Sequence, residues 1–273
     1  REVSWMQSCM FGGFAGTTKT SGTDWGEQML NTVASKTIRH LFTRSESVEV
    51  DVRCFPSSKL LQGSIDSFKM SGRGLVIRRE FRTEEMSFET DAVLLDFSSV
   101  LKGQINLKQP TQAIAQVTLT ESDINDSFKA ELVRKRLENL SIPALAELSG
   151  GEPISFTDVQ VQLQPNNGLR LFAKANLPNH GLVPISMIST LVVERRRRIL
   201  FQDCRFEPDA VPESLREISQ TLTDAMAEIL NNMVDLDRFN LDGVTLRVNR
   251  LETQGNKLIF SGYAQIDRVP NTP

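Results

Sequence analysis

The sequence predicts an α+β protein organised around an antiparallel sheet. Segments in which apolar and polar side chains alternate recur along the chain, as half-buried strands require. They follow one another too closely for the dozen or more residues that a parallel crossover needs. Between them lie stretches with apolar residues at three- and four-residue spacing, the pattern of amphipathic helices. The strand-rich run over residues 54–91 carries almost no reactive side chains, so the protein is expected to act by offering a surface.

Length and composition are those of a globular protein with a large core. The 273 residues are 40% hydrophobic and 24% charged, with no sign of disorder. A net charge of -3 argues against a nucleic-acid-binding protein that relies on overall positive charge. The three cysteines are odd in number and lack C-x-x-C spacing, so neither a disulfide framework nor a zinc ribbon is indicated.

Residues 23–268 are predicted to form a single elongated domain. Residues 1–22 are rich in glycine and threonine without a period and are expected to be a flexible lead, and residues 269–273 a tail. The start shows no basic region followed by an apolar core, and no run of about 20 apolar residues occurs. The expected location is therefore the cytoplasm or the cytoplasmic side of a membrane as a peripheral protein.

The first predicted helix begins near Thr23 or Asp24, because either side chain can accept the first free backbone N–H groups. Its apolar stripe comprises Met29, Leu30, Val33, Ala34, Ile38, Leu41 and Phe42. Strands are then predicted over 47–55, 65–70, 75–79, 84–90 and 113–119. A second helix is predicted over 120–140, with Thr120 as its N-cap and Asp123 three residues later.

Pro143 and the glycines that follow mark a connection, and the second half then repeats the plan. Strands are predicted over 154–163, 169–175, 185–193 and 199–204, with a turn at Asn166-Asn167-Gly168. A third helix is predicted to begin near Pro212, and a closing hairpin over 244–252 and 257–266. An alternative description is two pseudo-repeats joined near 143–152, each with a helix and a strand pair after a Leu-x-Gly motif.

The sequence contains no constellation typical of a catalytic or metal site. His40 and His180 cannot be placed beside a nucleophile, and acidic pairs such as Asp235 and Asp237 are too few for a metal ion. The glycine pairs do not match a nucleotide-binding fingerprint. No catalytic residue, metal or cofactor is therefore predicted, and the protein is expected not to be an enzyme.

Four consecutive arginines follow Glu194 between two predicted strands. One interpretation is a solvated hairpin turn. The other is an anion site, because guanidinium groups bind phosphates bidentately and gain roughly 1 kcal/mol per cation near an anionic membrane. The headgroup candidates are Arg195, Arg196, Arg197 and Arg198. A second basic cluster, formed by Arg78, Arg79 and Arg82, is open to the same interpretation.

Apolar helix stripes usually form core, but a helix in the concave face of a curved sheet can leave a channel for acyl chains. Each CH₂ group removed from water there contributes about 0.8 kcal/mol. The candidate acyl-contacting residues are Met29, Val33, Ile38, Phe88, Leu222, Met226 and Ile229.

Three segments carry a resemblance to a known family: FPSSKLLQGSIDSFKMSGRGLVI, QPTQAIAQVTLTESDIN and LDRFNLDGVTLRVNRLETQGNKLIFSGYAQI. With them the chain resembles the LmeA-like phospholipid-binding family, and its cyanobacterial members in particular, from Asp24 to Arg268. The resemblance rests on an ordered series of strand and turn motifs and includes no catalytic signature.

The family is similar to the tubular lipid-binding, TULIP-like proteins, in which a highly curved antiparallel sheet wraps around long amphipathic helices. The resemblance therefore implies that fold here, with phospholipid or another membrane lipid in an apolar tube or groove. It also implies a non-enzymatic role in lipid transfer or membrane maintenance, with peripheral membrane contact. The alternative left open is a protein-interaction scaffold for a membrane complex, without a lipid cavity.

Overall fold

The computed structural model describes the chain over residues 23–238 and 243–269. The predicted lead, residues 1–22, lies outside the described residues, as does most of the predicted tail. The helices are α1 Thr23–His40, α2 Ser58–Leu61, α3 Phe97–Leu101, α4 Glu121–Ser127, α5 Glu131–Arg134, α6 Ala146–Ser149 and α7 Arg216–Asn231. Short 3-10 helices span Pro143–Leu145, Pro208–Ala210, Glu213–Leu215 and Leu236–Arg238.

The strands are β1 Ser47–Arg53, β2 Ser64–Ile65, β3 Ser67–Ile77, β4 Phe81–Thr90, β5 Val93–Leu94, β6 Thr111–Thr120, β7 Ser155–Gln164, β8 Gly168–Leu177, β9 Gly181–Glu194, β10 Arg198–Phe206, β11 Val244–Gln254 and β12 Lys257–Ile266. They form a six-stranded sheet in the order β1-β3-β4-β6-β12-β11 and a four-stranded sheet in the order β10-β9-β8-β7. A two-stranded sheet pairs β2 with β5.

The predicted α+β class with an antiparallel sheet is confirmed, since every strand pair is antiparallel. The single, highly curved sheet is not observed, because the strands divide between separate sheets that are not strongly curled. The helix α1 contacts β1, and α7 contacts β9 and β10. Each of the two longest helices thus covers part of one sheet.

Two local predictions need correction. The strands predicted over 65–70 and 75–79 form one strand, β3, because Gly74 adopts a φ of +56° within it and does not end it. A Cβ at Gly74 would overlap the side chain of Glu46.

The helix predicted over 120–140 is divided into two helices, α4 and α5. The Glu80 carboxylate accepts the Glu131 N–H at 3.1 Å, at the first residue of α5. The predicted Thr120–Asp123 capping box is confirmed.

The closing hairpin is confirmed as β11 and β12, but it joins the sheet of the first half. Strand β12 pairs with β6 from Lys257 opposite Thr120 to Ile266 opposite Thr111. The last two strands therefore complete the sheet that the first strands begin, which no local pattern in the sequence shows.

Helix α4 fastens the edge of the four-stranded sheet to the six-stranded one. It follows β6 directly, and its Asn125 side chain accepts from the Val161 N–H at 2.7 Å and donates to the Val161 carbonyl at 3.1 Å. Glu121 accepts the Leu163 N–H at 3.0 Å. Side chains of α4 therefore form hydrogen bonds with backbone groups on the outer edge of β7. No further strand of the described chain pairs at this edge, and the four-stranded sheet ends there.

Two core regions hold the sheets and helices together. The larger lies between α7 and the four-stranded sheet and includes Leu251 and Leu258 from the closing hairpin. The other lies around α1, with Leu30 and Ala34 in one cluster and Ile38 packed against Met70 and neighbouring residues in the next. Because the hairpin contributes to both the six-stranded sheet and the larger core, it joins the two halves of the molecule.

A second junction lies at the predicted Asn166-Asn167-Gly168 turn. Both asparagines have positive φ, +57° and +61°, as a type I′ turn requires. The Asn167 amide donates to the Leu251 carbonyl at 3.1 Å, and its oxygen accepts from the Thr253 N–H at 3.0 Å. The turn between β7 and β8 is therefore bonded to β11 of the other sheet.

Replacing Asn167 with glycine is expected to lower the free energy of unfolding by about 2 kcal/mol, because two hydrogen bonds between the sheets are lost while the positive φ is retained. The matched control is Asn166→Gly, since Asn166 shares the turn geometry and makes no side-chain hydrogen bond with the described residues. Urea unfolding of the two variants measures the difference. Equal stabilities would contradict the role given to the Asn167 side chain.

A charge network on β4 links the six-stranded sheet to α4. The Arg82 guanidinium donates to Asp123 at 2.8 Å, to Glu84 at 2.9 Å and to Glu46 at 3.2 Å. The Asp123 side chain is only 3% exposed and also accepts the Thr120 N–H. Hydrogen bonding from Arg82 holds the pKa of Glu84 below its ordinary value of 4.5.

This lowered pKa predicts a loss of stability in acid. The native carboxylate of Glu84 stabilises the fold fully above the ordinary pKa of 4.5, and the contribution disappears as the pH falls through the lower native pKa. Urea unfolding between about pH 6 and about pH 3 is expected to show a steeper decline for the parent protein than for Glu84→Gln. Parallel curves would show that Glu84 does not contribute to acid unfolding.

Candidate functional site

The six-stranded sheet has one apolar face. Direct cross-strand partners lie on the same face of an antiparallel sheet. By this register, one row of residues crosses β3, β4, β6, β12 and β11, and it consists of Met70, Phe88, Ala115, Gly262 and Val248. Every member of the row is apolar or glycine.

The two neighbouring rows are also apolar or glycine, except for the buried Thr90. One comprises Phe68, Thr90, Ala113, Ala264 and Leu246, and the other Gly72, Met86, Val117, Phe260 and Leu251. We call the central part of this face the apolar strip: Met86, Phe88, Ala113, Ala115, Val117, Phe260, Gly262 and Ala264. The alanines at its centre are buried, with Ala113 and Ala264 1% and 0% exposed, whereas Phe88, Val117 and Phe260 beside them are partly exposed.

Close strand approach explains the glycine in the strip. A Cβ on Gly262 would overlap the backbone carbonyl of Arg247 on β11. The sequence signal for the strip is the pairing of small residues at alternate positions of two strands, Ala113 with Ala115 and Gly262 with Ala264. Sequence reasoning missed it because alanine and glycine carry no functional group.

The predicted acyl-contacting residues fall into two groups. Ile38 of α1 and Phe88 of β4 pack in the same cluster beside the strip, and Met29 packs farther along α1. Val33 is half-buried on the same helix. Ile38 and Phe88 thus lie at a partly exposed apolar surface, and Met29 and Val33 lie elsewhere on α1.

The second group lies on α7. Leu222 and Met226 are 0% exposed, and Ile229 packs against the same core beneath the four-stranded sheet. The structure therefore does not bring the two groups of predicted acyl contacts together into one cluster.

Two depressions stand out on the described part of the chain, and both are lined mainly by residues with polar side chains. One lies on the opposite face of the six-stranded sheet and includes Glu49, Arg73 and Glu85. The other follows α1 and includes Asn31 and Lys36. Neither has the lining that an apolar tube would need.

The predicted arginine turn between β9 and β10 is confirmed as a tight turn. Arg195 and Arg196 have φ of 49° and 60°, and the Arg197 N–H donates to the Glu194 carbonyl at 3.1 Å, as in a type I′ turn. Bulky residues are uncommon at positive φ, where the conformation costs roughly 1 kcal/mol per residue. Asparagine and glycine would fit this turn with less strain.

The four arginines have different environments. Arg197 pairs with Asp237 at 2.9 Å, and Arg198 pairs with Glu194 at 3.3 Å, so both are already neutralised by the protein. Arg195 and Arg196 are exposed and make no ion pair with the described residues. Two of the four headgroup candidates are thus available to an external anion.

This turn lies beside the apolar face of the six-stranded sheet. The backbone carbonyl of Arg196 accepts from the Val248 N–H at 2.7 Å, and Val248 is the β11 member of the row that contains Phe88. Three strand spacings separate Phe88 from Val248, which amounts to about 14 Å. An exposed cationic turn therefore borders an apolar row of that length.

A second type I′ turn with two arginines joins β3 to β4. Arg78 and Arg79 have φ of 51° and 67°, and the Glu80 N–H bonds to the Ile77 carbonyl at 3.3 Å. The sequence pattern did not predict this turn, because the predicted strand over 75–79 ended with the two arginines. Arg82, the third member of the predicted basic cluster, instead pairs with carboxylates of the protein itself.

No group of three or more His, Cys, Asp or Glu is placed to hold a metal ion among the described residues. His40 lies at the end of α1, with Nδ1 2.6 Å from the Lys36 carbonyl. Burial raises the pKa of the Cys54 thiol, with the charge of Asp66 adding to the effect, which disfavours the reactive thiolate.

Together these features define an α+β protein of antiparallel sheets, with a partly exposed apolar sheet face bordered by an arginine turn. The family model for LmeA-like phospholipid-binding proteins matches residues 22–262, so the chain belongs to the LmeA-like phospholipid-binding family. The resemblance noted from the sequence is confirmed. No curated protein and no solved structure matches the chain. Within the described residues, none of the helices has the length and apolar character needed to cross a membrane.

Proposed function

We propose that this protein is a non-enzymatic lipid-binding protein that holds a phospholipid on the apolar face of its six-stranded sheet. The acyl chains contact the partly exposed side chains of the apolar strip, Phe88, Val117 and Phe260. Ile38, Val33 and Met29 of α1 lie along its side. The headgroup phosphate contacts Arg195 and Arg196. The observation that carries the proposal is the row from Phe88 to Val248, which ends at the arginine turn.

The chemistry of this surface suits a phospholipid. An acyl chain of ten carbons laid along the row would remove about eight CH₂ groups from water, worth about 6 kcal/mol before the cost of ordering the chain. Guanidinium groups bind phosphate through parallel N–H···O bonds, and the charges of Arg195 and Arg196 are not used within the described chain. Apolar strip and cationic turn therefore match the two ends of one amphipathic molecule.

The residues of α7 receive a different role in this proposal. Leu222 and Met226 are fully buried in the core of the four-stranded sheet, and Ile229 packs against them. They support the fold and do not contact the lipid in its bound position. A surface that shields acyl chains outside a bilayer is suited to lipid transfer or membrane maintenance.

A protein-interaction scaffold remains the second candidate. It is favoured by the polar lining of the two depressions and by the filled core around Leu222. A scaffold would bind a protein through the same face and would carry no lipid.

Lipid loading separates the two functions. The protein is incubated with phosphatidylglycerol vesicles, separated from them, and analysed by native mass spectrometry. Phe88→Ser is expected to bind phospholipid about tenfold more weakly. Full burial of a phenylalanine contributes about 1.5–3 kcal/mol, and the lipid would cover only the part of Phe88 that is still exposed.

The matched control is Ile114→Ser, since Ile114 lies on the neighbouring strand, is 74% exposed and faces away from the strip. The parent protein and the control are expected to carry phospholipid. A parent protein that gains no phospholipid would exclude lipid binding and favour the scaffold.

A further inference from the structure

Basic side chains from three segments of the chain lie together at one end of the six-stranded sheet. We call it the basic end: Lys36, Arg39 and His40 of α1, Arg44, and Arg78 and Arg79 of the β3–β4 turn. All six side chains are exposed. The chain as a whole has a net charge of -3, so the charge of this end is opposite in sign to the net charge of the protein.

Backbone bonds bring these segments together. The Thr43 N–H donates to the Val76 carbonyl at 2.8 Å, and the Val76 N–H donates to the Arg44 carbonyl at 2.8 Å. The Arg79 N–H donates to the Thr43 hydroxyl at 3.1 Å. The segment that leaves α1 is therefore fixed against the β3–β4 turn.

The cations of the basic end are not neutralised by the described residues. Arg39 donates to the Val48 carbonyl at 3.4 Å, and none of the five Lys and Arg side chains forms an ion pair within 23–238 and 243–269. Of the acidic residues that lie close to Arg44 and Arg79 in sequence, Glu46 pairs with Arg82, and Glu80 accepts the Glu131 N–H. A cluster of like charges without carboxylate partners is complementary to an anionic surface.

Apolar side chains lie among these charges and pack against residues of the proposed lipid site. Phe42 and Ile77 are partly exposed at the basic end and pack in the same cluster as Ile38 and Phe88. The basic end and the apolar strip are thus connected by continuous apolar contact.

We propose that the basic end docks on the surface of an anionic lipid bilayer. Its cations contact headgroup phosphates while Phe42 and Ile77 approach the interface, so that lipid passes between the bilayer and the strip at this end. This inference rests on the proposed lipid-binding function and assigns the surface through which it operates. The left-handed backbone of Arg78 and Arg79, where smaller residues fit with less strain, supports a role for these side chains beyond folding.

The test replaces Arg78→Asn together with Arg79→Gly, a pair that suits the existing turn and should not lower the melting temperature. Sedimentation with vesicles of phosphatidylcholine and phosphatidylglycerol at low salt measures docking. Binding is expected to fall about 30-fold, because each cation near an anionic surface contributes about fivefold. Vesicles of phosphatidylcholine alone are expected to bind neither protein.

The matched control is Lys102→Gln together with Arg205→Gln, which removes the same charge from two exposed residues outside both the basic end and the arginine turn. Docking of this control is expected to equal that of the parent. Undiminished docking of the first variant, or equal losses in both, would overturn the proposal. Lipid content measured by native mass spectrometry is a separate readout, so a protein that docks but carries no lipid would contradict the lipid site alone.

Discussion

Replacing Arg82 with alanine is expected to lower the free energy of unfolding by about 3 kcal/mol. Its guanidinium is the ion-pair partner of Asp123, whose side chain is only 3% exposed. Removing the arginine leaves that carboxylate buried without a countercharge, which costs more than the loss of a surface pair. Because Arg82 itself is 35% exposed, the expected value lies at the low end for a buried pair.

Arg250→Ala is the matched control for this change. Arg250 pairs with Glu252 at 2.9 Å on the surface of β11 and is 71% exposed, so its loss is expected to cost less than about 1 kcal/mol. Urea unfolding at neutral pH compares the two variants. If both lose the same small amount, Asp123 is not held by Arg82 in solution and the link between β4 and α4 is weaker than described.

Replacing Leu222 with alanine is expected to cost about 3 kcal/mol, because it leaves a cavity in a close-packed core. Leu222 is 0% exposed and belongs to the core beneath the four-stranded sheet. The same change should leave phospholipid binding intact, since the proposed lipid lies on the other sheet. Thermal unfolding and lipid content measured on one sample give both values.

Leu182→Ala serves as its control, because Leu182 lies on β9 and is 56% exposed. Its cost is expected to be below about 0.5 kcal/mol. A Leu222→Ala protein that keeps its stability but loses phospholipid would move the acyl site to α7, where the sequence pattern also allowed it.

Local features of the fold were predictable from the sequence because they depend on neighbouring residues. The first long helix, the capping box at Thr120 and the turn at Asn166 all follow from short-range rules, and all are observed. The pairing of β12 with β6 joins residues far apart in the chain, and no local pattern encodes it. The division into separate sheets likewise depends on the side chains that α4 places along β7.

The candidate site was predictable only in part, for a related reason. Phe88 and Ile38 were recognised as apolar, but periodicity cannot distinguish them from Leu222, which is fully buried. Burial depends on what covers a side chain, and that is decided by tertiary contacts. The same limit applies to the arginines. Arg197 and Arg195 are alike in sequence, yet of the two only Arg197 has a carboxylate partner, Asp237, among the residues that the structure describes.

The central claim is that phospholipid acyl chains lie on the apolar strip of the six-stranded sheet. Photo-crosslinking tests it most directly: the protein is loaded with a phospholipid that carries a diazirine in its acyl chain, irradiated, digested and sequenced by mass spectrometry. We expect adducts on the segments that contain Phe88, Ala115 and Phe260. Adducts confined to the segment that contains Leu222, or none on a protein that sediments with vesicles, would contradict the claim.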